Sequence, residues 1–249
     1  MIYDRGWKTP PASLKLLDDE VHVWRVSLLQ SESTLHDLEQ VLGIEEVTRA
    51  KRFVFEKERN RLITSHGCLR MLLGHYLNTE PNLLRFSTNA YGKPFLDLPS
   101  QRHTLHFNFS HSHNLALYAF AYARQLGIDV EYMRSDIEYE ELAKHFFSSV
   151  ENTQFEVLPV KVKQQAFYDC WTRKEAYIKA RGRGLSLPLD LFDVSLRPGE
   201  PAALLSSRED PQETTRWTFR ALDAGPGYAG ALAVEGDGWK LHCWQWQQV

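Results

Sequence analysis

Cysteine and long apolar runs are both scarce in this chain. Its three cysteines, in 249 residues, lie far apart at positions 68, 170 and 243. Because they are odd in number and widely separated, they show neither the spacing of zinc ligands nor a disulfide framework. This is typical of proteins in a reducing cytoplasm. No stretch reaches the roughly 18 consecutive apolar residues of a membrane-spanning helix, and the first residues lack the charged and then apolar layout of a signal peptide. We therefore expect a cytoplasmic protein without a membrane partner.

Charge of one sign is equally lacking, since 29 basic residues face 32 acidic ones and the formal net charge is −3. So small a net charge gives no reason to expect binding to nucleic acid or to an anionic membrane. Apolar residues make up 43% of the chain and aromatic residues 12%, which is enough for a packed core and too many for a disordered chain. The length allows one large domain or two small ones.

Hydrophobic periodicity predicts helices and strands in an order that suggests two similar halves. Ala50-Lys-Arg-Phe-Val-Phe resembles Ala143-Lys-His-Phe-Phe-Ser, and a long amphipathic helix and then strands follow each copy. We therefore predict a duplicated helix-plus-sheet unit, divided into residues 1–123 and 124–249. Ser33 or Thr34 is the expected cap of the first helix. The expected helices cover residues 33–42, two segments within 45–76 joined near 55–57, 137–147 and 163–181.

The expected strands are either alternating or uniformly apolar. The connection at residues 123–125 is short, which favours an antiparallel hairpin between the strands at 115–123 and 125–131. Residues 198–215 are polar and contain proline, so we expect a surface excursion there. The other strands are expected at residues 21–29, 83–86, 105–110, 192–196, 217–222, 228–234 and 240–245.

Two carboxylates occur two residues apart in Gly-Ile-Asp-Val-Glu, residues 127–131. Because alternate strand residues share a face, Asp129 and Glu131 are expected to project together while Ile128 and Val130 enter the core. Neighbouring like charges repel unless a cation or a donor compensates them. A divalent cation with oxygen ligands, such as Mg²⁺, would do so, and a solvated strand edge is the other interpretation.

A third carboxylate lies on the long helix, in Trp-Thr-Arg-Lys-Glu-Ala-Tyr-Ile-Lys at residues 171–179. Spacing by four places Trp171, Glu175 and Lys179 on one helical face. A Glu–Lys pair at this spacing is usually a surface contact worth roughly a few tenths of a kcal/mol. Tyr168 and Trp171 make this face largely apolar, however, and a carboxylate there requires a partner. A metal ion shared with the two strand acids would supply one.

Three further segments offer donors to an anion. Ser110 and His111 lie at the end of a half-buried strand and are candidate phosphate ligands, although a turn histidine is the simpler interpretation. They are not expected to form a catalytic Ser–His pair, because adjacent residues rarely do so. Tyr91-Gly92-Lys93-Pro combines a tight turn with a mobile charge but is too short for a nucleotide-binding P-loop. The basic stretch at residues 49–61 also contains glutamates, which favours a solvated helix face from which one or two arginines reach an anion.

In this order and spacing the segments resemble one family, the 4′-phosphopantetheinyl transferases of the larger, surfactin-synthetase-activating (Sfp-like) type. Gly-Ile-Asp-Val-Glu followed by Trp-x-x-Lys-Glu-x-x-x-Lys is the most specific part of the resemblance. Two positions depart from the family's pattern, since His113 stands where a glycine is usual and Ala176 where a serine is common. The matching segments are residues 85–94, 107–112, 127–131 and 171–190.

The resemblance implies transfer of the phosphopantetheine arm of coenzyme A to a serine of an acyl or peptidyl carrier protein, with release of adenosine 3′,5′-bisphosphate. It implies an α+β pseudo-dimer of two similar halves with the active site between them, acting as a monomer. It assigns Mg²⁺ to Asp129, Glu131 and Glu175, and catalysis to Glu175, the candidate general base, and Lys179. The coenzyme A contacts that it assigns are Arg49, Arg61, Tyr91, Gly92, Lys93, Ser110, His111 and Lys179.

Two other functional classes stay open. A metal-dependent pyrophosphatase or phosphodiesterase could use the same acids on coenzyme A without a carrier protein. A non-catalytic carrier-protein-binding module could keep the fold, although it would not need all three acids together with Lys179. Within the transferase interpretation the basic residues of the first half do not align uniquely, so Arg52 or Lys57 could replace Arg49.

Overall fold

The computed structural model describes residues 6–97 and 104–247 of the chain, which form an α+β fold. None of the described helices is both long and apolar enough to cross a membrane. The helices are α1 (Glu32–Gln40), α2 (Ile44–Ala50), α3 (Glu56–Leu77), α4 (Tyr139–Phe146), α5 (Ser149–Glu156), α6 (Val160–Arg181) and α7 (Glu213–Arg216). The strands are β1 (Glu20–Ser27), β2 (Phe86–Thr88), β3 (Pro94–Leu96), β4 (Leu105–Ser112), β5 (Leu115–Tyr122), β6 (Leu126–Tyr132), β7 (Phe192–Val194), β8 (Leu204–Ser207), β9 (Trp217–Leu222), β10 (Tyr228–Glu235) and β11 (Lys240–Gln245).

The main helices agree with the periodicity of the sequence. The segment at residues 45–76 is divided into α2 and α3 as predicted. The two 22-residue helices, α3 and α6, end where the backbone becomes left-handed, at Asn78 (φ 49°) and Gly182 (φ 65°). Asparagine and glycine tolerate positive φ better than other residues. Gly182 is therefore a helix terminator.

The strands in the described part of the chain form two larger sheets and two short hairpins. In the first sheet the order is β11-β1-β5-β4, with β1 parallel to β11 and antiparallel to β5. In the second sheet the order is β6-β10-β9, and both pairings are antiparallel. The hairpins are β2–β3 and β7–β8. The division of the chain after residue 123 stays a prediction, and β11 crosses it to pair with β1.

Three local predictions are wrong. β5 and β6 do not form a hairpin, because the chain turns at Ala123 (φ 53°) and β6 pairs with β10 in the other sheet. Helix α1 begins earlier than expected and is capped by Ser31, whose hydroxyl accepts a hydrogen bond from the Thr34 N–H, so neither Ser33 nor Thr34 is the cap. The strand expected at residues 83–86 is displaced, since Pro81–Leu83 form a 3₁₀ turn and β2 begins only at Phe86. The polar segment at 198–215 is mostly exposed, as expected, and it also contains the strand β8 and the start of the short helix α7.

Helices α5 and α7 are absent from the sequence prediction, and α5 is the longer of the two. Helix α5 carried a recognisable signal. Its start carries a capping box in which Ser148 and Glu151 each accept a hydrogen bond from the other's backbone N–H. Ser-x-x-Glu is the sequence signature of such a helix start, so the signal was present at residues 148–151.

Apolar side chains of the described residues form three buried clusters. One packs α1 and α3 against the first sheet, and the second packs α6 against the second sheet. The third lies between the two sheets and contains Ile128 and Val130, as the alternation of β6 predicts. Because Ile128 and Val130 enter this third cluster, the alternate residues of β6 point away from it, toward α6.

Candidate active site

Side chains of β4, β6 and α6 meet at one place in the molecule. β4 and β6 are edge strands of their respective sheets, and the backbone N–H of Ile128 in β6 donates to Oδ1 of Asn108 in β4 at 2.8 Å. Helix α6 packs across β6 at Gly127, where an added Cβ would lie 2.1 Å from the carbonyl oxygen of Ala176 and 2.3 Å from the backbone nitrogen of Ala180. Only glycine allows so close an approach of helix and strand backbone.

Asp129 is the most buried acid of this group, with 2% of its surface exposed. Its Oδ1 accepts hydrogen bonds from the Ser110 hydroxyl at 2.8 Å and from Lys179 Nζ at 2.6 Å. Its Oδ2 is buried and has no hydrogen-bond partner among the described residues. A buried carboxylate oxygen without a donor is costly, so Oδ2 is a point where a cation would stabilise the group.

Glu131 projects on the same side of β6, as the alternation predicts. Its Oε2 accepts a hydrogen bond of 2.7 Å from the hydroxyl of Ser112. The pKa of Glu131 is raised from its ordinary value, first because the carboxyl is desolvated and then because Asp129 is negatively charged.

Glu175 comes to the same group from α6. Desolvation raises the pKa of Glu175 to about 7, the charges of Asp129 and Glu131 add to the shift, and the ammonium of Lys179 opposes it. The predicted assembly of Asp129, Glu131, Glu175 and Lys179 is therefore present. The Glu175–Lys179 pair is not a simple surface contact, because Lys179 is bound to Asp129.

The predicted metal ligands are carboxylates, which are the ligand type that a hard cation prefers. In this structure, however, the ammonium of Lys179 contacts one of them, Asp129. No set of three or more His, Cys, Asp or Glu side chains within residues 6–97 and 104–247 is placed so as to hold a metal ion. Lys179 Nζ lies where it neutralises Asp129. Carboxylate oxygens are the ligands that Mg²⁺ prefers, and the donor-free Oδ2 of Asp129 fits the approach of such an ion.

Of the predicted phosphate ligands, Ser110 and His111 lie on opposite faces of β4. The Ser110 hydroxyl donates to Asp129 and accepts from Lys179 Nζ at 3.1 Å. His111 is exposed, and its pKa is lowered by partial desolvation and by the positive charges of neighbours that include His66 and Arg61 on α3. His111 therefore faces a basic region beside the acids.

Tyr91, Gly92 and Lys93 form a turn against the C-terminal end of α6. Gly92 has φ 85°, and the side chain of Asn89 joins the turn to α6 by donating to the carbonyl of Gly182 at 2.7 Å. Lys93 Nζ donates to the carbonyl oxygens of Leu126 and Ala180, at 3.0 and 3.1 Å. Burial lowers the pKa of Lys93 to about 8. In this structure Lys93 bridges β6 and α6, and Tyr91 is exposed.

The predicted arginines differ in their surroundings. Arg49 is exposed at the end of α2 and has no ion-pair partner among the described residues. Arg61 on α3 donates to Glu58 at 2.7 Å and to Asn114 at 3.2 Å, while its Nε is buried and has no hydrogen-bond partner in the described part of the chain. Arg61 also lines a cavity of about 690 Å³ whose walls include Glu131, Tyr132 and Trp171. Of the two predicted arginines, Arg61 is thus the one that lines the same cavity as Glu131.

Ser112 is a residue of the site that the sequence reasoning did not single out. It contacts Glu131 directly. The signal was its spacing, since Ser112 lies two residues after Ser110 on the same strand and must share its face.

Comparisons with known proteins point to one family. A family model described as the 4′-phosphopantetheinyl transferase superfamily matches residues 125–233, and a model described as 4′-phosphopantetheinyl transferase, N-terminal, matches residues 27–123. The chain is 42% identical over 240 residues to the 4′-phosphopantetheinyl transferase HetI of Nostoc sp., covering 96% of this chain and 98% of that protein. It is 31% identical over 187 residues to the 4′-phosphopantetheinyl transferase Sfp of Bacillus subtilis, covering 75% and 79%. Among solved structures, the Thermotoga maritima holo-[acyl-carrier-protein] synthase aligns with a TM-score of 0.37 and 20% identity, covering 45% of this chain and 63% of that one.

Proposed function

The chain belongs to the 4′-phosphopantetheinyl transferase superfamily, and from this we propose that it transfers the 4′-phosphopantetheine arm of coenzyme A to a serine of an apo acyl or peptidyl carrier protein, releasing adenosine 3′,5′-bisphosphate. The observation that best supports the proposal is the meeting of Asp129, Glu131, Glu175 and Lys179 where β4, β6 and α6 come together. Reactions at phosphorus depend mainly on positioning and on fixed charge, and this group offers both.

Glu175 is the proposed general base that takes the proton of the carrier serine as it attacks the β-phosphorus of coenzyme A. The other two acids are already engaged, because Asp129 accepts from Ser110 and Lys179, and Glu131 accepts from Ser112. Within the described residues no hydrogen bond holds the carboxylate of Glu175. A base must be free to face the incoming hydroxyl, and Glu175 meets this condition.

Mg²⁺ is the proposed ion, and Asp129, Glu131 and Glu175 are the residues that would hold it. When bound there, the ion would neutralise negative charge on the phosphate oxygens. Lys179 supplies one positive charge to the same place, through the ammonium that contacts Asp129 at 2.6 Å. We propose that this ammonium faces the phosphate or the leaving group during transfer.

The proposed contacts to coenzyme A lie around this group. Arg61 is the preferred partner of the 3′-phosphate, because none of the described residues pairs with its Nε and its side chain lines the cavity next to Glu131. Arg49 is the second candidate, together with Arg52 and Lys57. Ser110 and His111 would bind phosphate oxygens from β4. Tyr91, Gly92 and Lys93 would do so from their turn, and Lys93 would first have to exchange its two carbonyl partners.

The proposed architecture is a monomeric pseudo-dimer of two similar halves with the active site between them. It is supported by two helices of equal length, α3 and α6, each packed against one of the two larger sheets. Both sheets contribute an edge strand to the site. We place the protein in the cytoplasm, in agreement with three cysteines that lie far apart in the sequence and are all buried.

The proposal is tested by incubating the protein with coenzyme A, Mg²⁺ and an apo carrier protein, followed by mass spectrometry of the carrier. We expect the mass of one phosphopantetheine arm to be added to a single serine. Cleavage of coenzyme A without a carrier adduct would identify a pyrophosphatase or phosphodiesterase instead. Carrier binding without either product would identify a binding module.

The role of Glu175 is tested by Glu175→Gln. This variant should lose arm transfer while its thermal unfolding remains cooperative, because the amide keeps the shape of the side chain and removes the base. Asp19→Asn is the matched control, since Asp19 pairs with Lys240 on the surface of the first sheet. Near-normal turnover by Glu175→Gln would exclude Glu175 as the base.

A further inference from the structure

Ser112, the last residue of β4, has no part in the reaction proposed above. Its Oγ lies 2.7 Å from Oε2 of Glu131 and 3.0 Å from the backbone nitrogen of Tyr132. Both partners belong to β6, so Ser112 connects the edge strands of the two sheets.

The direction of these hydrogen bonds follows from the chemistry of a hydroxyl. The backbone N–H of Tyr132 can only donate, so Ser112 Oγ accepts that bond. A serine hydroxyl has one hydrogen, and this hydrogen is therefore directed at Oε2 of Glu131. When Glu131 is ionised, this bond is stronger than a hydrogen bond between neutral groups.

Ser112 repeats one strand period later what Ser110 does. Ser110 donates to Asp129 at 2.8 Å, and Ser112 donates to Glu131 at 2.7 Å. Both strands have a period of two residues, so the two serines of β4 match the two acids of β6 pair by pair. Asn108 continues the same face of β4 by accepting from the N–H of Ile128, without touching an acid.

The two carboxylate oxygens of Glu131 therefore differ in their hydrogen bonding. Oε2 is held by Ser112, whereas Oε1 has no hydrogen-bond or ion-pair partner among the described residues. We propose that Ser112 is a positioning residue that fixes the carboxylate of Glu131 so that Oε1 is presented to the divalent cation of the acid group. This inference rests on the metal-dependent transfer proposed above.

Two variants of similar shape separate the hydroxyl from the packing. Ser112→Thr keeps the hydroxyl, and Ser112→Val replaces it by a methyl group on the same branched side chain. The readout is the dissociation constant of Mn²⁺, measured by electron paramagnetic resonance of the free ion without coenzyme A. We expect Ser112→Val to weaken Mn²⁺ binding by about 10-fold or more, as is usual when a hydrogen bond to a metal ligand is removed, and Ser112→Thr to bind almost as the wild type does.

Asn108→Ala controls for a general loosening between β4 and β6. It removes the neighbouring cross-strand bond, so it should lower the melting temperature and leave the Mn²⁺ dissociation constant nearly unchanged. The inference is overturned if Ser112→Val binds Mn²⁺ like the wild type, if Asn108→Ala weakens binding as much as Ser112→Val, or if the wild type binds no Mn²⁺.

Arm transfer by the wild type, measured in parallel, keeps the two proposals apart. A protein that binds Mn²⁺ through the Ser112 hydroxyl but modifies no carrier protein would refute the transferase and leave the positioning role intact. If the protein modifies the carrier but binds Mn²⁺ equally well with and without the Ser112 hydroxyl, only the positioning role is refuted.

Discussion

The buried ion pair between Lys174 and Glu151 leads to the sharpest stability prediction. Lys174 directly precedes the proposed base on α6, but its side chain points toward α5 and the start of β7. Its Nζ lies 2.7 Å from Oε2 of Glu151 and donates to the carbonyl oxygens of Leu189 and Phe192. The exposed fractions of the two side chains are 0% for Lys174 and 1% for Glu151, so water cannot replace either partner.

The perturbation is Lys174→Met, which keeps the length and removes the charge. Glu151 would remain buried and would keep the hydrogen bonds from the backbone N–H groups of Ser148 and Val194, but it would lose the ammonium of Lys174. Removing one partner of a buried pair typically costs about 3–5 kcal/mol. For a chain of this size each kcal/mol shifts the melting temperature by roughly 2–4 °C, so we expect a fall of about 6–20 °C.

The assay is calorimetric or chemical unfolding, with Lys144→Met as the matched control. Lys144 pairs with Glu141 at the same distance, 2.7 Å, but with side chains 60% and 69% exposed, and ion pairs so exposed contribute little to stability. The double variant Lys174→Met/Glu151→Gln, which also removes the stranded charge, should be less destabilised than the sum of its single changes. If Lys174→Met and Lys144→Met destabilise the protein equally, the argument from buried charge is refuted.

Two further predictions concern packing and pH. Gly127→Ala should destabilise the protein by about 1–3 kcal/mol or more, because the new Cβ would lie 2.1 Å from the carbonyl oxygen of Ala176. The control is Gly6→Ala, whose new Cβ would have no atom closer than 3.8 Å. This control should change the denaturation midpoint little. Burial of His22 lowers its pKa from 6.5 to about 4, so the unfolded chain binds a proton in this range and the folded chain does not. As far as His22 is concerned, the free energy of unfolding is therefore at its maximum above pH 6.5 and falls by about 3 kcal/mol as the pH drops to about 4, because protonation of His22 favours the unfolded chain. His22→Gln should flatten this part of the curve of unfolding free energy against pH.

The part of the site that could be predicted follows from strand and helix periods. Asp129 and Glu131 share a face because a strand repeats every two residues, and Glu175 and Lys179 share a face because they are one helical turn apart. Such local rules need no knowledge of the partner element. They also correctly placed Ile128 in the core.

The parts that could not be predicted depend on long-range pairing. The short connection at residues 123–125 suggested a hairpin, but local alternation does not say which edge a strand will join, and β6 joined β10. Lys93 is similar, since its partners are carbonyls on β6 and at the end of α6. Nothing in the turn around Lys93 indicates that these carbonyls lie within reach.

The register of β4 determines both which of its side chains enter the first hydrophobic core and which of them reach the acids of β6. Phe107 belongs to that core, and the alternate residues Ser110 and Ser112 bond the acids of β6. A shift of the register by one residue would exchange these two faces. Because the β4–β5 turn fixes the register of β4, interactions that stabilise this turn also keep the two serines in contact with the acids. The turn contains His113 at φ 52°, a conformation that typically costs a non-glycine residue about 1–3 kcal/mol. His113 stacks on Tyr132 of β6, with ring centroids 4.6 Å apart, so the residue with the strained backbone also anchors the turn to the strand that carries Asp129 and Glu131.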